Sequence, residues 1–281
     1  MEYQQGPDVI KAATRKKRLK IFLGAVVAVI LVIIPVSIQA ANKNNELPSV
    51  VIRVDDIQDF AFREAQLFLI NKSITNEVPF SLAIIAGLFG QDNDLVESVK
   101  LATTQGTEVT VHGWEHEDLT AFSLEEQSAL LSRSRSRIKE VLGYDADVLV
   151  PPMFSFNEDT LTAMRDENYN VISTFIDLQS PGLIGNTVSI PATVELSDFA
   201  EGTWRMKSFE AIMAEISKSI HRYGYAVIVT HPQEFICGGE LDPVNMDIFC
   251  LLLKTLKEDY LVKTLKDVGE TRTAQSATIK R

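Results

Sequence analysis

The sequence contains few cysteines. Cys237 and Cys250 are the two cysteines among 281 residues. Two cysteines cannot form the multiple cross-links of a disulfide scaffold, and their spacing does not decide whether they pair. Stability must therefore come mainly from a hydrophobic core, for which a 46% hydrophobic composition is sufficient.

Positive charge is outnumbered by negative charge beyond the N-terminus. Residues 1–41 carry six basic and two acidic side chains, a net charge of +4. Since the whole chain has a net charge of −11, residues 42–281 have a net charge of −15. A domain this acidic lacks the basic surface that nucleic acids require, which excludes a nucleic-acid partner. The excess acidity is more simply that of a well-solvated surface.

One hydrophobic segment is long enough to cross a bilayer. Residues 21–38 are uncharged, six cations precede them between Lys11 and Lys20, and Lys43 is the sole cation soon after them. This asymmetry predicts a single-pass membrane anchor with the following domain on the extracellular side. The alternative is a signal peptide cleaved near Ala40 or Ala41, which would release a secreted protein.

The chain accordingly divides into five predicted segments. They are a basic cytoplasmic N-terminus (1–20), a transmembrane signal anchor (21–41), a linker (42–48), a folded domain (49–268) and a flexible tail (269–281).

The folded domain alternates apolar strand-like runs with helix-like segments. The run at 49–56 is rich in β-branched residues, and those at 78–87 and 225–231 are apolar almost throughout, which is typical of parallel strands covered on both faces. We predict an α/β fold, a distorted (β/α) barrel of about seven strands, preceded by one N-terminal transmembrane helix. An open doubly wound sheet is the alternative, but the first strand lacks the glycine-rich phosphate turn that would favour it.

Acidic and imidazole side chains follow several of these predicted strands. Asp55 and Asp56 end the first, His112 and then His116 follow the third, and His231 ends a late strand. Because function in β/α barrels gathers at the C-terminal ends of strands, we expect these groups to meet at one rim. Two histidines and a carboxylate can hold a catalytic divalent metal, beside a second carboxylate as base and a further histidine as acid.

The order of these motifs resembles the polysaccharide deacetylase family, whose NodB homology domain is also that of carbohydrate esterase family 4. The resemblance extends over roughly residues 50–265 and rests on Asp-Asp, His-x-x-x-His, a Pro-Pro strand end and the late histidine. It implies a distorted (β/α) barrel and a metal-dependent hydrolase that removes acetyl groups from N-acetylated sugars of envelope or extracellular polysaccharide.

The resemblance also implies a role for each matching residue. Asp56, His112 and His116 correspond to the metal ligands, most simply for zinc, with cobalt, manganese and nickel as alternatives. Asp55 corresponds to the catalytic base and His231 to the general acid.

Substrate contacts are implied at the Pro-Pro segment. Pro152 precedes Met153, whose backbone N–H corresponds to the group that holds the oxyanion. Trp114, between the two histidines, is a candidate for stacking on a sugar ring, or for packing beneath its loop.

The sequence departs from the family pattern at several positions. Val150 stands where the family has an arginine that sets the environment of the base, and Met153 stands where it has an aromatic residue. Asp177 is the candidate for the aspartate that tunes the catalytic histidine, and the first motif lacks its glycine.

These departures leave alternatives open. One is a catalytically degenerate glycan-binding domain on the same fold, and another is a metal hydrolase of a different amide or of an ester.

Overall fold

The computed structural model describes residues 47–200 and 203–279. The predicted transmembrane segment at 21–41 lies outside these residues. Within the described ranges, no helix is long and apolar enough to cross a bilayer.

The fold is built on a curled, mainly parallel sheet around β1 (Ser49–Ile57). The strands that surround it are β2 (Ser81–Ile84), β3 (Glu108–Val111), β4 (Val148–Leu149), β5 (Val171–Ile172), β7 (Thr187–Ser189), β11 (Tyr225–Thr230) and β14 (Leu261–Lys263). On one side, β1 pairs in parallel with β2, and on the other side with β11 and β14. From β2 the sheet continues through β3, β4, β5 and β7.

The segment 187–195 links the two ends of this sheet. Its first part, β7, pairs with β5, and its second part, β8 (Val194–Glu195), pairs in parallel with β11. Between them, the Ala192 N–H donates to the Thr174 carbonyl at 2.8 Å. Backbone hydrogen bonds can therefore be followed from β1 through β2, β3, β4, β5, the bent segment and β11 back to β1. If β7 and β8 are counted as one bent strand, seven strands are connected in this way. The predicted α/β fold is confirmed for this domain, and its curled parallel sheet fits a distorted barrel.

Seven helices in the described part of the chain follow or flank the strands. They are α1 (Arg63–Asn76), α2 (Asn93–Thr104), α3 (Leu124–Leu142), α4 (Glu158–Asp166), α5 (Phe209–Tyr223), α6 (Pro243–Asp259) and α7 (Leu265–Ile279). Helix α7 includes residues 269–279, for which the sequence predicted a flexible tail.

Two apolar layers explain why the strands read as continuous hydrophobic runs. Alternate residues of β1, such as Val50 and Ile52, belong to the layer between sheet and helices. Val51 instead packs with Val150 and Val227 in a second layer inside the curl. Because side chains alternate along a strand, Arg53 lies on the same side of β1 as Val51.

Several short elements in the described residues have no counterpart in the sequence prediction. Strand β6 (Gly182–Ile184) is antiparallel to β7. Two hairpins pair β9 (Ser197–Ala200) with β10 (Thr203–Met206), and β12 (Ile236–Cys237) with β13 (Glu240–Leu241). Cys237 and Cys250 are free thiols.

Candidate active site

The two aspartates at the end of β1 point in different directions because the strand is irregular there. The register between β1 and β2 shifts between Val54 and Ile57, so β1 contains one extra residue. Asp56 has a φ of 63°, the left-handed conformation, which aspartate tolerates better than most residues. Asp55 is fully buried beside Arg53, whereas the Asp56 carboxylate lies next to two imidazoles.

His112 lies directly after β3, where its ring is held by the neighbouring strand end. Its Nδ1 donates to the Val150 carbonyl at 2.7 Å, because a carbonyl oxygen can only accept. In a neutral ring this leaves the Nε2 lone pair free, and Nε2 lies 3.2 Å from Asp56 Oδ1. A second-sphere hydrogen bond of this kind is the usual way to fix the tautomer of a metal-binding histidine.

His116 reaches the same carboxylate oxygen through a tight loop. Its Nε2 lies 3.3 Å from Asp56 Oδ1, and its φ is 64°. The Glu117 carboxylate accepts hydrogen bonds from the N–H groups of Trp114 at 2.9 Å and Glu115 at 2.6 Å. The loop is therefore folded around its own acidic side chain, which brings His116 back over the strand ends.

The three side chains fit a divalent metal ion. One ligand atom from each of Asp56, His112 and His116 lies within 4.8 Å of the others. Among the residues that the structure describes, no group hydrogen-bonds to the buried Oδ1 of Asp56. Burial alone would raise the pKa of Asp56, but the imidazoles of His112 and His116 outweigh it and hold the pKa well below its usual range. Once the two imidazoles lose the protons that face Asp56, its ionised oxygen and the two ring nitrogens form a donor set that suits zinc and related ions.

Gln233 completes the surroundings of Asp56. Its Nε2 donates to Asp56 Oδ2 at 3.1 Å. The second carboxylate oxygen is thereby occupied, which leaves Oδ1 to face the imidazoles.

Asp55 is held by a buried arginine from its own strand. Arg53 Nε donates to Asp55 Oδ1 at 2.9 Å, and its second terminal nitrogen donates to Oδ2 at 2.8 Å. Both side chains are almost completely inaccessible to solvent. This parallel two-bond geometry is the strongest form of a carboxylate–guanidinium contact.

His231 faces Asp55 across a narrow gap. It follows β11, and its Nε2 lies 4.0 Å from Asp55 Oδ2. Its Nδ1 lies 2.8 Å from Glu234 Oε1. Burial alone would lower the pKa of His231, but the Glu234 hydrogen bond and the nearby Asp55 carboxylate raise it to about 9. The ring is therefore protonated at neutral pH and has the state of a proton donor.

Glu234 was not identified from the sequence, although it lies three residues after His231. Its other oxygen accepts from the hydroxyls of Thr230 at 2.8 Å and Ser197 at 3.0 Å. Asp177, the candidate for this role, is exposed in the loop after β5, whereas the carboxylates beside the His231 ring are those of Glu234 and Asp55. The signal that would have found Glu234 is a carboxylate in the turn directly after a strand-end histidine.

Arg53 was also missed. The signal for it was a single arginine within the β-branched run "VVIRVDD". A charged residue in the middle of a buried strand requires a buried partner, and Asp55 lies two residues further, on the same side of the strand.

The predicted substrate-contacting residues lie in two loops. Pro152 is buried against Gly113, and Met153, with a φ of 52°, is half exposed. Trp114 is half-buried, with the Arg133 guanidinium 3.6 Å from its ring centroid. These contacts favour packing beneath the loop as the role of Trp114. Another aromatic ring, Trp204 of β10, is stacked 6.0 Å from the His231 ring and is 39% exposed.

Residues 46–172 match the family model described as polysaccharide deacetylase. The matched region contains Asp55, Asp56, His112 and His116, and the resemblance seen in the sequence is confirmed. No curated protein matches the chain.

Solved structures of similar fold agree with this match. A Mycobacterium smegmatis protein classed as a polysaccharide deacetylase aligns with a TM-score of 0.64 and 16% identity, covering 84% of this chain and 93% of its own. Peptidoglycan deacetylase PdaC from Bacillus subtilis aligns with a TM-score of 0.55 and 13% identity, covering 85% of this chain and 98% of its own. BA3943 from Bacillus anthracis, a family 4 carbohydrate esterase pseudoenzyme, aligns with a TM-score of 0.53 and 15% identity, covering 79% of this chain and 65% of its own. At these identities the likeness establishes the fold.

Proposed function

We propose that this chain, whose residues 46–172 match the polysaccharide deacetylase family model, is a metal-dependent hydrolase of N-acetylated sugars. Its substrate is an acetylated polysaccharide of the cell envelope or extracellular matrix, and its products are acetate and a free amine. The peptidoglycan deacetylase among the proteins of similar fold supports this substrate class.

One observation carries the proposal. A metal-ligand cluster of Asp56, His112 and His116 lies beside an acid–base pair, Asp55 and His231, whose facing atoms are 4.0 Å apart. Amide hydrolysis needs an activated water, a base for its proton and an acid for the leaving amine, and these five residues provide groups for each requirement.

The roles of the protein groups follow from their positions. Asp56, His112 and His116 would hold a zinc or similar ion, which supplies Lewis acidity towards water and the amide carbonyl. Asp55 accepts the proton of the attacking water, and both of its oxygens are hydrogen-bonded to Arg53. His231, protonated through Glu234, donates a proton to the leaving nitrogen. The Met153 N–H is the proposed donor to the oxyanion.

The location of the protein is part of the proposal. The uncharged segment 21–38 and the preceding cations support a single-pass anchor with residues 49–268 outside the cell. An extracellular active site matches an envelope polysaccharide as substrate.

The experiment that tests this function combines metal binding with product release. Full-length protein in detergent is titrated with zinc by calorimetry, beside His112→Ala, and acetate release is then measured from N-acetylglucosamine oligomers and peptidoglycan. We expect one zinc site that His112→Ala weakens strongly, and zinc-dependent acetate release.

The alternatives predict different results. Zinc binding with glycan binding but no acetate release would indicate a degenerate glycan-binding domain. Zinc-dependent cleavage of other amides or esters alone would indicate a different hydrolase. A folded chain without a zinc site would contradict the proposed function.

A further inference from the structure

We infer that Arg53 is the positioning residue of the catalytic base and takes over the task of the arginine that is missing at Val150. This inference rests on the proposed function. It assigns the role to a residue on β1, two positions before the base, rather than to the Pro-Pro segment after β4.

All three nitrogens of the Arg53 guanidinium group donate hydrogen bonds. Nε and one terminal nitrogen bind the two oxygens of Asp55. The other terminal nitrogen donates to the Ser173 hydroxyl at 2.9 Å and to the carbonyls of Ser173 and Thr174, both at 3.1 Å. One end of the guanidinium group is therefore anchored to the segment directly after β5, and the other end forms two parallel hydrogen bonds with Asp55.

The burial of Asp55 makes such a partner necessary. The oxygens of a carboxylate without access to water must be hydrogen-bonded within the protein, because an unsatisfied buried polar group is costly. The guanidinium group supplies two donors in one fixed plane, one for each oxygen of Asp55. The Phe154 ring lies 5.4 Å from the Arg53 guanidinium carbon and covers it further.

The position of Val150 explains how the exchange is sterically feasible. Val150 is fully buried and packs with Val51 inside the curled sheet, on the side of β1 where Arg53 also lies. A second buried arginine from position 150 would enter the same interior that Arg53 already occupies. Because protein interiors are close-packed, this interior accommodates the Arg53 side chain when position 150 carries a small apolar residue such as valine.

The hydrogen bonds with Arg53 leave the side of the Asp55 carboxylate that faces His231 free for proton transfer. Arg53 approaches both oxygens from within the sheet, and Oδ2 also faces His231 Nε2 at 4.0 Å. The fork thus fixes the plane of the carboxylate relative to the acid. Loss of the fork should reduce turnover more than substrate affinity, because the Arg53 side chain is fully buried and offers no surface to a substrate.

The test compares Arg53→Met and Arg53→Lys with the parent in the full-length chain. Each variant is measured for fold by circular dichroism, for zinc Kd by calorimetry, and for kcat and KM of acetate release. The control is Arg165→Met, an exposed arginine on α4. For Arg53→Met we expect kcat to fall by about 100-fold or more, because positioned acid–base catalysis contributes that much. KM and zinc Kd should stay within about threefold, because the ligands and the substrate surface are unchanged.

Arg53→Lys separates positioning from charge. Lysine keeps the cation but cannot form the planar fork, so kcat should still fall by about tenfold or more. If Arg53→Met does not fold, this variant decides the question. Folded, zinc-binding Arg53 variants with kcat within about threefold of the parent would overturn the inference. A parent that binds zinc but releases no acetate would instead refute the proposed function, and the inference with it.

Discussion

His231 has a carboxylate on each side of its ring. Glu234 accepts from Nδ1, and Asp55 lies 4.0 Å from Nε2. Since both favour the charged imidazole, they outweigh the burial that would otherwise lower the pKa of His231, which is about 9. The proposed acid is therefore present at neutral pH and is lost as the pH rises through about 9.

Glu234→Gln tests this pairing. The substitution keeps the size of the side chain but removes the charge that raises the pKa of His231, so the alkaline limb of kcat against pH should move down by about 1–3 units. The measurement is the pH profile of acetate release. Glu258→Gln, an exposed position on α6, should leave the profile unchanged. An identical alkaline limb in Glu234→Gln would show that another group sets it.

Asp55→Asn and Asp56→Asn should have different effects, because Asp55 is the proposed base and Asp56 is a proposed metal ligand. Asp55→Asn removes the proton acceptor, so kcat should fall by about 10²–10⁴-fold while zinc binding survives. Asp56→Asn should weaken zinc binding itself, since its Oδ1 faces both imidazoles. Calorimetry and acetate release measure the two effects. Near-normal turnover in Asp55→Asn would rule out its assignment as base.

At the scale of elements, the loop from Gly113 to Glu117 determines where His116 lies. The loop follows β3 with a left-handed glycine, and its backbone amides converge on the Glu117 carboxylate. The position of His116 thus depends on an internal acceptor rather than on a regular helix or strand.

Glu117→Ala should therefore weaken zinc binding without removing a ligand. The two amides lose their acceptor, the loop must be ordered by the metal itself, and the zinc Kd should rise by about 10–100-fold. The matched control is Glu115→Ala, at an exposed position two residues earlier. Equal zinc affinities for the two variants would show that the loop is held by other contacts.

Helix α3 starts at a capping box that the sequence predicted. Glu126 N donates to the Ser123 hydroxyl, and the Glu126 carboxylate accepts from Ser123 N at 2.9 Å. Ser123→Ala should lower the free energy of unfolding by about 1 kcal/mol, measured in urea. Ser136→Ala, on an exposed face within the same helix, should cost nothing or stabilise slightly, because alanine favours helices.

At the scale of the whole molecule, the proposed metal centre joins distant parts of the chain. Asp56 lies at the end of β1, the histidines lie in the segment after β3, and Gln233, from the segment after β11, bonds to Asp56. An ion bound there ties the ends of β1 and β3 together, so binding should stabilise the folded domain as a whole.

Zinc should accordingly raise the melting temperature, and a chelator should reverse the effect. At a free concentration of about 100 times Kd, the gain is about 2.7 kcal/mol. Differential scanning calorimetry of the full-length chain, with and without zinc, measures it. His112→Ala should lose most of the gain, and an equal shift in that variant would mean that zinc binds elsewhere.

The sequence by itself determined the alternation of strands and helices and the strand-end positions of Asp55, Asp56, His112 and His231. These follow from local periodicity and from the parallel topology that it implies, since strand C-termini must share one edge. The capping box at Ser123 was equally readable, because its hydrogen bonds join residues only three positions apart.

Only the tertiary structure decided which side chains are partners. Arg53 bonds to residues 120 and 121 positions away, and His112 bonds to a carbonyl 38 positions away. The bend that lets the segment 187–195 pair with two different strands, and the left-handed turn at Asp56, also depend on long-range packing. Local propensity does not encode such contacts, and so the hydrogen bonds of Arg53 with Asp55, Ser173 and Thr174 emerged only from the tertiary structure.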